Sequence, residues 1–313
     1  MLHSNKKHVL TYGDAFVDYI ANDQSNTSFS MFLGGATVNV AVGAARLGVP
    51  SAFITITGDD ATSEFVRGEF DAEDVIMDYS VMEPEKRVSG VYVHLTEDND
   101  RIFHRYIDEA PEIQVKPVDL KEEAFEKASI LNMCSGTLFQ KTALESSRKA
   151  VEFAKKHGAL FSFDVNIRPL RWETETQCRE TISSFFKDAD ILKFTVEELT
   201  WLTETKSLEE GLAALAPLGI PIILITDGAE GTYAVLNGKV QHVSVEPVIP
   251  VDTTGAGDAF MAGVLRYVHL NGLPTTMESL VACCEFANRL GALAATKAGA
   301  LTAMPRLSDL DME

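Results

Sequence analysis

The chain has 313 residues, 46% hydrophobic and 23% charged, and carries a formal net charge of −19. That length calls for one large domain with an appendage or for two domains, and the composition suits a soluble protein with a sizeable core. The acidic balance argues against nucleic acid and against an anionic membrane as partners, since both need a basic face. Cys134, Cys178, Cys283 and Cys284 show neither C-x-x-C nor zinc-ligand spacing, so reduced thiols and a cytoplasmic setting are expected. Residues 1–13 contain no long apolar segment or small-residue cleavage site, so no secretion signal is expected. No apolar run approaches the ~18 residues that cross a bilayer.

Residues 8–13 form a short apolar run that predicts a buried strand, with Asp14 and Asp18 following at its end. Apolar positions at helical spacing, closed by Gly48, predict a helix over 37–47. Gly34 and Gly35 precede it and let a partner approach the backbone closely. Residues 51–58 read as a strand and 59–70 as a helix. The alternation across 87–105 predicts a hairpin turned at 97–100.

Beyond residue 120 the alternation of helix and strand is regular. Helices are expected over 121–128, 142–158, 175–189, 197–203 and 207–219, with strands at 129–134, 159–165, 190–195 and 220–228. A second hairpin over 231–245 turns at Asn237-Gly238. A last long helix runs from about 276 to 296. Alternating β and α units imply a mostly parallel sheet covered on both faces. Ligands of such sheets collect outside the carboxyl ends of the strands. Asp14, Asp18, Gly34, Gly35, 164–168, 193–198 and 226–231 all follow expected strand ends.

The most informative stretch is VDTTGAGDAF at 251–260, a glycine loop running straight into a helix. A helix N-terminus carries about half a positive charge and several unpaired N–H donors, so it attracts anions. Asp258 stands in the first turn beside that anion site. A carboxylate there repels a phosphate unless it has a chemical task, such as taking a proton from an attacking hydroxyl.

With these residues assembled, the chain resembles the ribokinase-like, pfkB-type carbohydrate kinases from about residue 8 to 305. DTTGAGDAF at 252–260 matches the C-terminal signature and GGATVNVAVGAARLG at 34–48 the N-terminal one. DVNIRPLRW at 164–172 is similar to the DxNxRxxLW element of fructokinases and 2-keto-3-deoxygluconate kinases, and ITDGAEGT at 225–232 to the nucleotide-site strand and turn. The resemblance implies a single three-layer α/β/α kinase domain over 1–313, with a small β-sheet lid from about 14–36 and 87–108. It implies ATP and Mg2+, with K+ as an additional cation, and a homodimer through the lid.

The resemblance also implies roles. Asp258 would be the general base, and Gly255, Ala256 and Gly257 would offer N–H groups to the transferring phosphoryl. Asp18, Gly34, Gly35 and Asn39 would hold sugar hydroxyls, with Tyr92, Arg105 and Arg168 on the sugar and phosphate side. Asn166, Lys193, Thr226, Gly228, Gly231 and Asn288 would border ATP. Glu198 would reach Mg2+ through water, and Asp252 and Thr254 would serve a monovalent cation.

Some residues depart from that pattern or have a simpler explanation. Thr195-Val196-Glu197-Glu198 replaces the Asn-x-x-Glu of many members, and Thr195 with Glu198 also reads as a capping box. Asp227 is an unusual neighbour for phosphates. Asp18 favours a neutral sugar such as fructose, because it would repel a sugar acid. Tyr92, Arg105 and 164–166 favour 2-keto-3-deoxygluconate instead, and SGT at 135–137 favours 5-dehydro-2-deoxygluconate. A nucleoside kinase would need a larger, aromatic-lined pocket. A non-catalytic sugar or nucleotide sensor is the rival of another class; the intact Gly255-Ala256-Gly257-Asp258 argues against it.

Overall fold

The computed structural model describes residues 8–98 and 101–310. β1 (His8–Tyr12) is followed by β2 (Phe16–Ala21), β3 (Phe29–Gly34) and α1 (Ala36–Arg46). Next come β4 (Ser51–Ile54), β5 (Ile56–Thr57), α2 (Ala61–Ala72), β6 (Val75–Ile76), β7 (Val81–Met82), β8 (Ser89–Leu95) and β9 (Arg101–Ile107). The second half alternates: α3 (Glu122–Lys127), β10 (Ala128–Cys134), α4 (Lys141–Lys156), β11 (Leu160–Asp164), α5 (Glu175–Ser183), β12 (Ile191–Thr195), α6 (Val196–Thr203), α7 (Leu208–Leu215) and β13 (Ile222–Thr226). β14 (Thr232–Leu236), β15 (Lys239–Val243), α8 (Ala256–Asn271) and α9 (Met277–Ala295) complete the order.

The main sheet has nine strands in the order β15-β14-β13-β12-β11-β10-β1-β4-β6. Its pairings are parallel except those of β14 with β13 and β15. Parallel strands buried on both faces favour apolar residues, and β1 is buried throughout, with His8 and Thr11 as its polar exceptions. Val9 packs with Phe260, Val264 and Cys284 of α8 and α9. Leu10, one residue on, joins the opposite layer with Phe125, Phe161, Ile182 and Leu199. These two layers are the covers that alternation predicts, and each fully buried Leu, Ile or Phe contributes roughly 1.5–3 kcal/mol relative to exposure.

A second sheet, in the order β3-β2-β8-β9, stands apart from the first. Its central pair, β2 with β8, is parallel. The hairpin expected over 87–105 is β8 and β9; residues 99 and 100 of its turn lie outside the described residues. Asp18, expected just past the first strand, lies inside β2.

Two helices are shorter than their apolar patterns. α5 stops at Ser183 because Phe185 and Phe186 both turn into the core, and the chain follows in a 3-10 turn, Phe186–Asp188. α7 stops at Leu215, where Pro217 ends the helical ladder. The Asn237-Gly238 turn joins β14 to β15 with both residues at positive φ, 49° and 79°. Among the described residues no helix is long and apolar enough to cross a membrane.

Candidate active site

The glycine loop ends where α8 begins. Gly255 caps the helix at φ 81°, a left-handed conformation that suits glycine. A Cβ there would also come within 3.0 Å of the Ala300 Cα. At Gly257 a Cβ would stand 3.3 Å from the Lys193 ammonium. Both glycines therefore leave room that any side chain would fill, at the end of a helix that presents free N–H groups.

Asp258 lies in the first turn of α8. Its Oδ2 accepts a hydrogen bond from Asn39 Nδ2 at 2.7 Å, across from α1. Burial pushes the Asp258 carboxyl up to about 7; the Asn39 bond opposes that shift and the Asp164 charge adds to it. A carboxylate poised near neutrality suits a general base. Asn39 Oδ1 is buried without a hydrogen-bond partner among the described residues.

Lys193 on β12 forms a buried ion pair with Asp164 at the end of β11, Nζ to Oδ1 3.0 Å, and the two residues are aligned in the sheet. Burial alone would lower the Lys193 ammonium. The carboxylates of Asp164, Glu198 and Asp258 outweigh it and hold the ammonium above its ordinary value. Glu198 completes the capping box of α6, accepting from Thr195 N at 2.8 Å with one oxygen and from Ile167 N at 2.8 Å with the other. Burial raises its carboxyl too, and the Lys193 charge works against that.

Apart from Glu198, these groups line one cavity of about 840 Å3. It brings together Asp18, Gly34, Gly35, Asn39, Asn166, Arg168, Lys193, Asp252, Thr254, Gly255, Gly257 and Asp258. Asp18 reaches it from β2 of the second sheet, and burial raises its carboxyl above the ordinary value. A Cβ on Gly34 would lie 3.1 Å from Asp18 Oδ2. Arg168 Nη1 donates to Ile167 O at 2.9 Å. Asp252 Oδ1 accepts from the Thr254 N–H and hydroxyl at 2.9 and 2.6 Å, and Oδ2 accepts from Gly299 N at 2.9 Å. The 252–254 loop is thereby tied to the segment at 298–302.

Other expected site residues lie elsewhere. Tyr92 pairs with Tyr19 and stacks on it at 4.8 Å, and the Arg105 guanidinium sits 4.8 Å over the Tyr92 ring. Asp18 pairs with Val91, whose side chain shares the cleft face, so Tyr92 and Arg105 occupy the opposite face of the lid. This corrects the expectation that they reach the sugar. An irregularity in register after Tyr92 turns Arg105 outward and brings Phe103 and Tyr106 to the cleft side.

Asn288 is buried beneath β14 and β15. Its Oδ1 accepts from Thr232 Oγ1 at 2.7 Å and its Nδ2 donates to Val243 O at 3.0 Å, so its amide serves the core and not the cleft. Thr226, Gly228 and Gly231 lie one strand beyond Thr195, outside the cavity lining. A Cβ on Gly231 would fall 2.2 Å from Val243 O. The pairing of Asp164 with Lys193 and the positions of Arg171 and Tyr106 were missed from sequence. The one available signal was that 164 and 193 both lie near the carboxyl ends of expected strands, 159–165 and 190–195.

An anion cradle, a near-neutral carboxylate and a buried lysine, set at the carboxyl ends of a parallel sheet beside a small second sheet, define a ribokinase-like phosphotransferase. A sequence model of the pfkB family carbohydrate kinases matches residues 6–307, and the chain belongs to that family. It is 34% identical over 302 residues to a fructokinase of Vibrio alginolyticus, covering 95% of this chain and 96% of the relative. It is similar to the crystal structure of a fructokinase from Vibrio cholerae O395 with fructose, ADP and calcium ion bound, at TM-score 0.83 and 33% identity over 98% of this chain and 99% of that one. It is also similar to a fructokinase from Xylella fastidiosa with bound ATP, at TM-score 0.87 and 28% identity over 97% of each chain.

Proposed function

We propose that the chain is an ATP-dependent fructokinase with Asp258 as the general base. The observation that carries this reading is the setting of Asp258. It is buried at the head of the glycine turn, bonded by Asn39, and shares one cavity with Asp18. In this reading the sugar lies between Asp18 and Gly34-Gly35, with Arg168 toward the phosphate. Asp258 takes the proton of the attacking hydroxyl as that oxygen bonds to the γ-phosphorus. The N–H groups of Gly255 and Gly257 and the Lys193 ammonium meet the charge on the transferring group, where preorganised donors have the largest catalytic effect; the Ala256 N–H, expected to join them, donates to Thr253 O at 3.2 Å.

Asn166, Thr226, Gly228 and Gly231 border the nucleotide in this reading. Each Glu198 oxygen accepts one backbone N–H and keeps a lone pair, which fits contact with Mg2+ through water; that ion would screen phosphate charge. Asp252 and Thr254 would border a monovalent cation such as K+. A neutral sugar is favoured over a sugar acid. Asp18 would repel a substrate carboxylate, and the Tyr92–Arg105 pair that could welcome one faces away. On the face away from the cleft the lid also exposes Met31 and Ile102, which supports a homodimer through that sheet. The four free thiols support a cytoplasmic location.

The test is an ADP-release assay over fructose, ribose, 2-keto-3-deoxygluconate and nucleosides, with Asp258→Asn alongside. Fructose should give the highest kcat/KM, and Asp258→Asn should lose about 100-fold or more of the rate. Turnover on none of these substrates overturns the kinase reading, and full rate in Asp258→Asn overturns the base.

A further inference from the structure

Arg171 has no part in the reaction described above, yet it stands where lid and core meet. It belongs to the 3-10 turn Pro169–Arg171 that follows β11, and it occupies the Leu position of the DxNxRxxLW pattern. Its guanidinium lies 5.2 Å from the ring of Phe16 on β2 and 5.3 Å from that of Tyr106 on β9, both in the lid. On the core side it lies 4.8 Å from the ring of Phe139. Its Nη2 donates to the Tyr106 hydroxyl and its Nη1 to Gly136 O at 3.3 Å. Phe16 and Tyr106 are also in ring contact, at 6.1 Å.

One side chain is therefore stacked and hydrogen-bonded to both bodies at once. A leucine could fill the space but has neither the planar face nor the donors. The cluster lines a cavity of about 530 Å3 that shares Gly35, Asn166 and Arg168 with the reaction cleft.

We propose that Arg171 is a positioning residue that latches the lid to the core and keeps water from the phosphoryl group in transfer. The proposal rests on the kinase reading. With the latch loose, a water oxygen takes the place of the sugar hydroxyl and bonds to the γ-phosphorus. ADP leaves, the water proton passes to Asp258, and the products are ADP and inorganic phosphate. The signature of a broken latch is thus ATP consumed without sugar phosphate formed.

Arg171→Leu, Arg171→Lys and Tyr106→Phe test this. Three quantities are read: the ratio of inorganic phosphate to sugar phosphate, the KM for fructose, and the amide hydrogen exchange of β9. Arg171→Leu should raise the KM about tenfold, raise the ratio severalfold and speed exchange in β9. Arg171→Lys should recover part of each change, and Tyr106→Phe should show the same changes in smaller measure. An Arg171→Leu enzyme with the wild-type ratio, KM and exchange overturns the proposal. Should that variant not fold, Tyr106→Phe decides, and an unchanged ratio and exchange rate in it overturn the latch. If the wild-type protein phosphorylates no sugar, the kinase reading falls, while exchange in β9 still decides the latch.

Discussion

Replacing Asn39 by Leu removes a side-chain hydrogen bond to Asp258 Oδ2, at 2.7 Å, with little change in volume. That bond favours the carboxylate and holds the pKa of Asp258 down against its burial. A hydrogen bond to a charged group is worth about 1.5–3 kcal/mol, and one pKa unit is about 1.4 kcal/mol, so the loss should raise the pKa by about one to two units. Wild-type Asp258, at about 7, is half ionised at pH 7. In Asn39→Leu the ionised share at pH 7 should fall to between about a tenth and a hundredth. The measurement is kcat/KM for fructose across pH, which reports the free enzyme's base. At pH 7 it should drop about 5- to 50-fold, and part of the loss should return as the pH passes the new pKa. What remains lost at high pH measures any contact that Asn39 makes with the substrate. An alkaline plateau reached at the wild-type pH would refute the argument that this bond sets the base.

Three other outcomes follow from the geometry. Asp258 is raised from 3.8 in the free residue to about 7, so the unfolded chain ionises first and folding stability declines between those two pH values. Asp258→Asn should therefore melt at a higher temperature than wild type at pH 8, with a gap that shrinks toward pH 4; an equal gap at both pH values refutes the linkage. Gly34→Ala places a Cβ 3.1 Å from Asp18 Oδ2, so the KM for fructose should rise severalfold while that for ATP holds, and equal changes in both would count against Asp18 as a sugar ligand. Arg105→Ala removes a group that stacks on Tyr92 on the outer lid face; the KM for fructose should stay at the wild-type value, and a large rise would return Arg105 to the site.

What was legible in the sequence was local. The 251–260 loop announces a helix N-terminus because its glycines and Asp258 lie within one turn of each other, and α1 and α9 show their apolar stripes over many residues. The parallel core follows from alternation alone. What escaped depended on partners distant in the chain. Tyr92 and Arg105 look like ligands until the pairing of β8 with β2 and one slip in register decide their face. Asn288 looks like a nucleotide contact until Thr232 and Val243 engage its amide. The Asp164–Lys193 pair needs the alignment of β11 on β12, which no spacing reveals.

The parallel pairing of β2 with β8 has a consequence for how the lid is attached. A lid made from one hairpin would hang on two strands of chain, whereas this one is assembled from two excursions and is crossed four times. The first two crossings touch, since a Cβ on Gly35 would lie 3.1 Å from Asp14 O. The last two are tied by the Lys86 ammonium, which donates to Ala110 O at 3.1 Å. The second sheet is thus joined to the main domain by two pairs of crossings, each pair in contact with itself. For the same reason the lid cannot be grafted onto a relative as one loop; both inserts, 13–35 and 86–110, have to travel together.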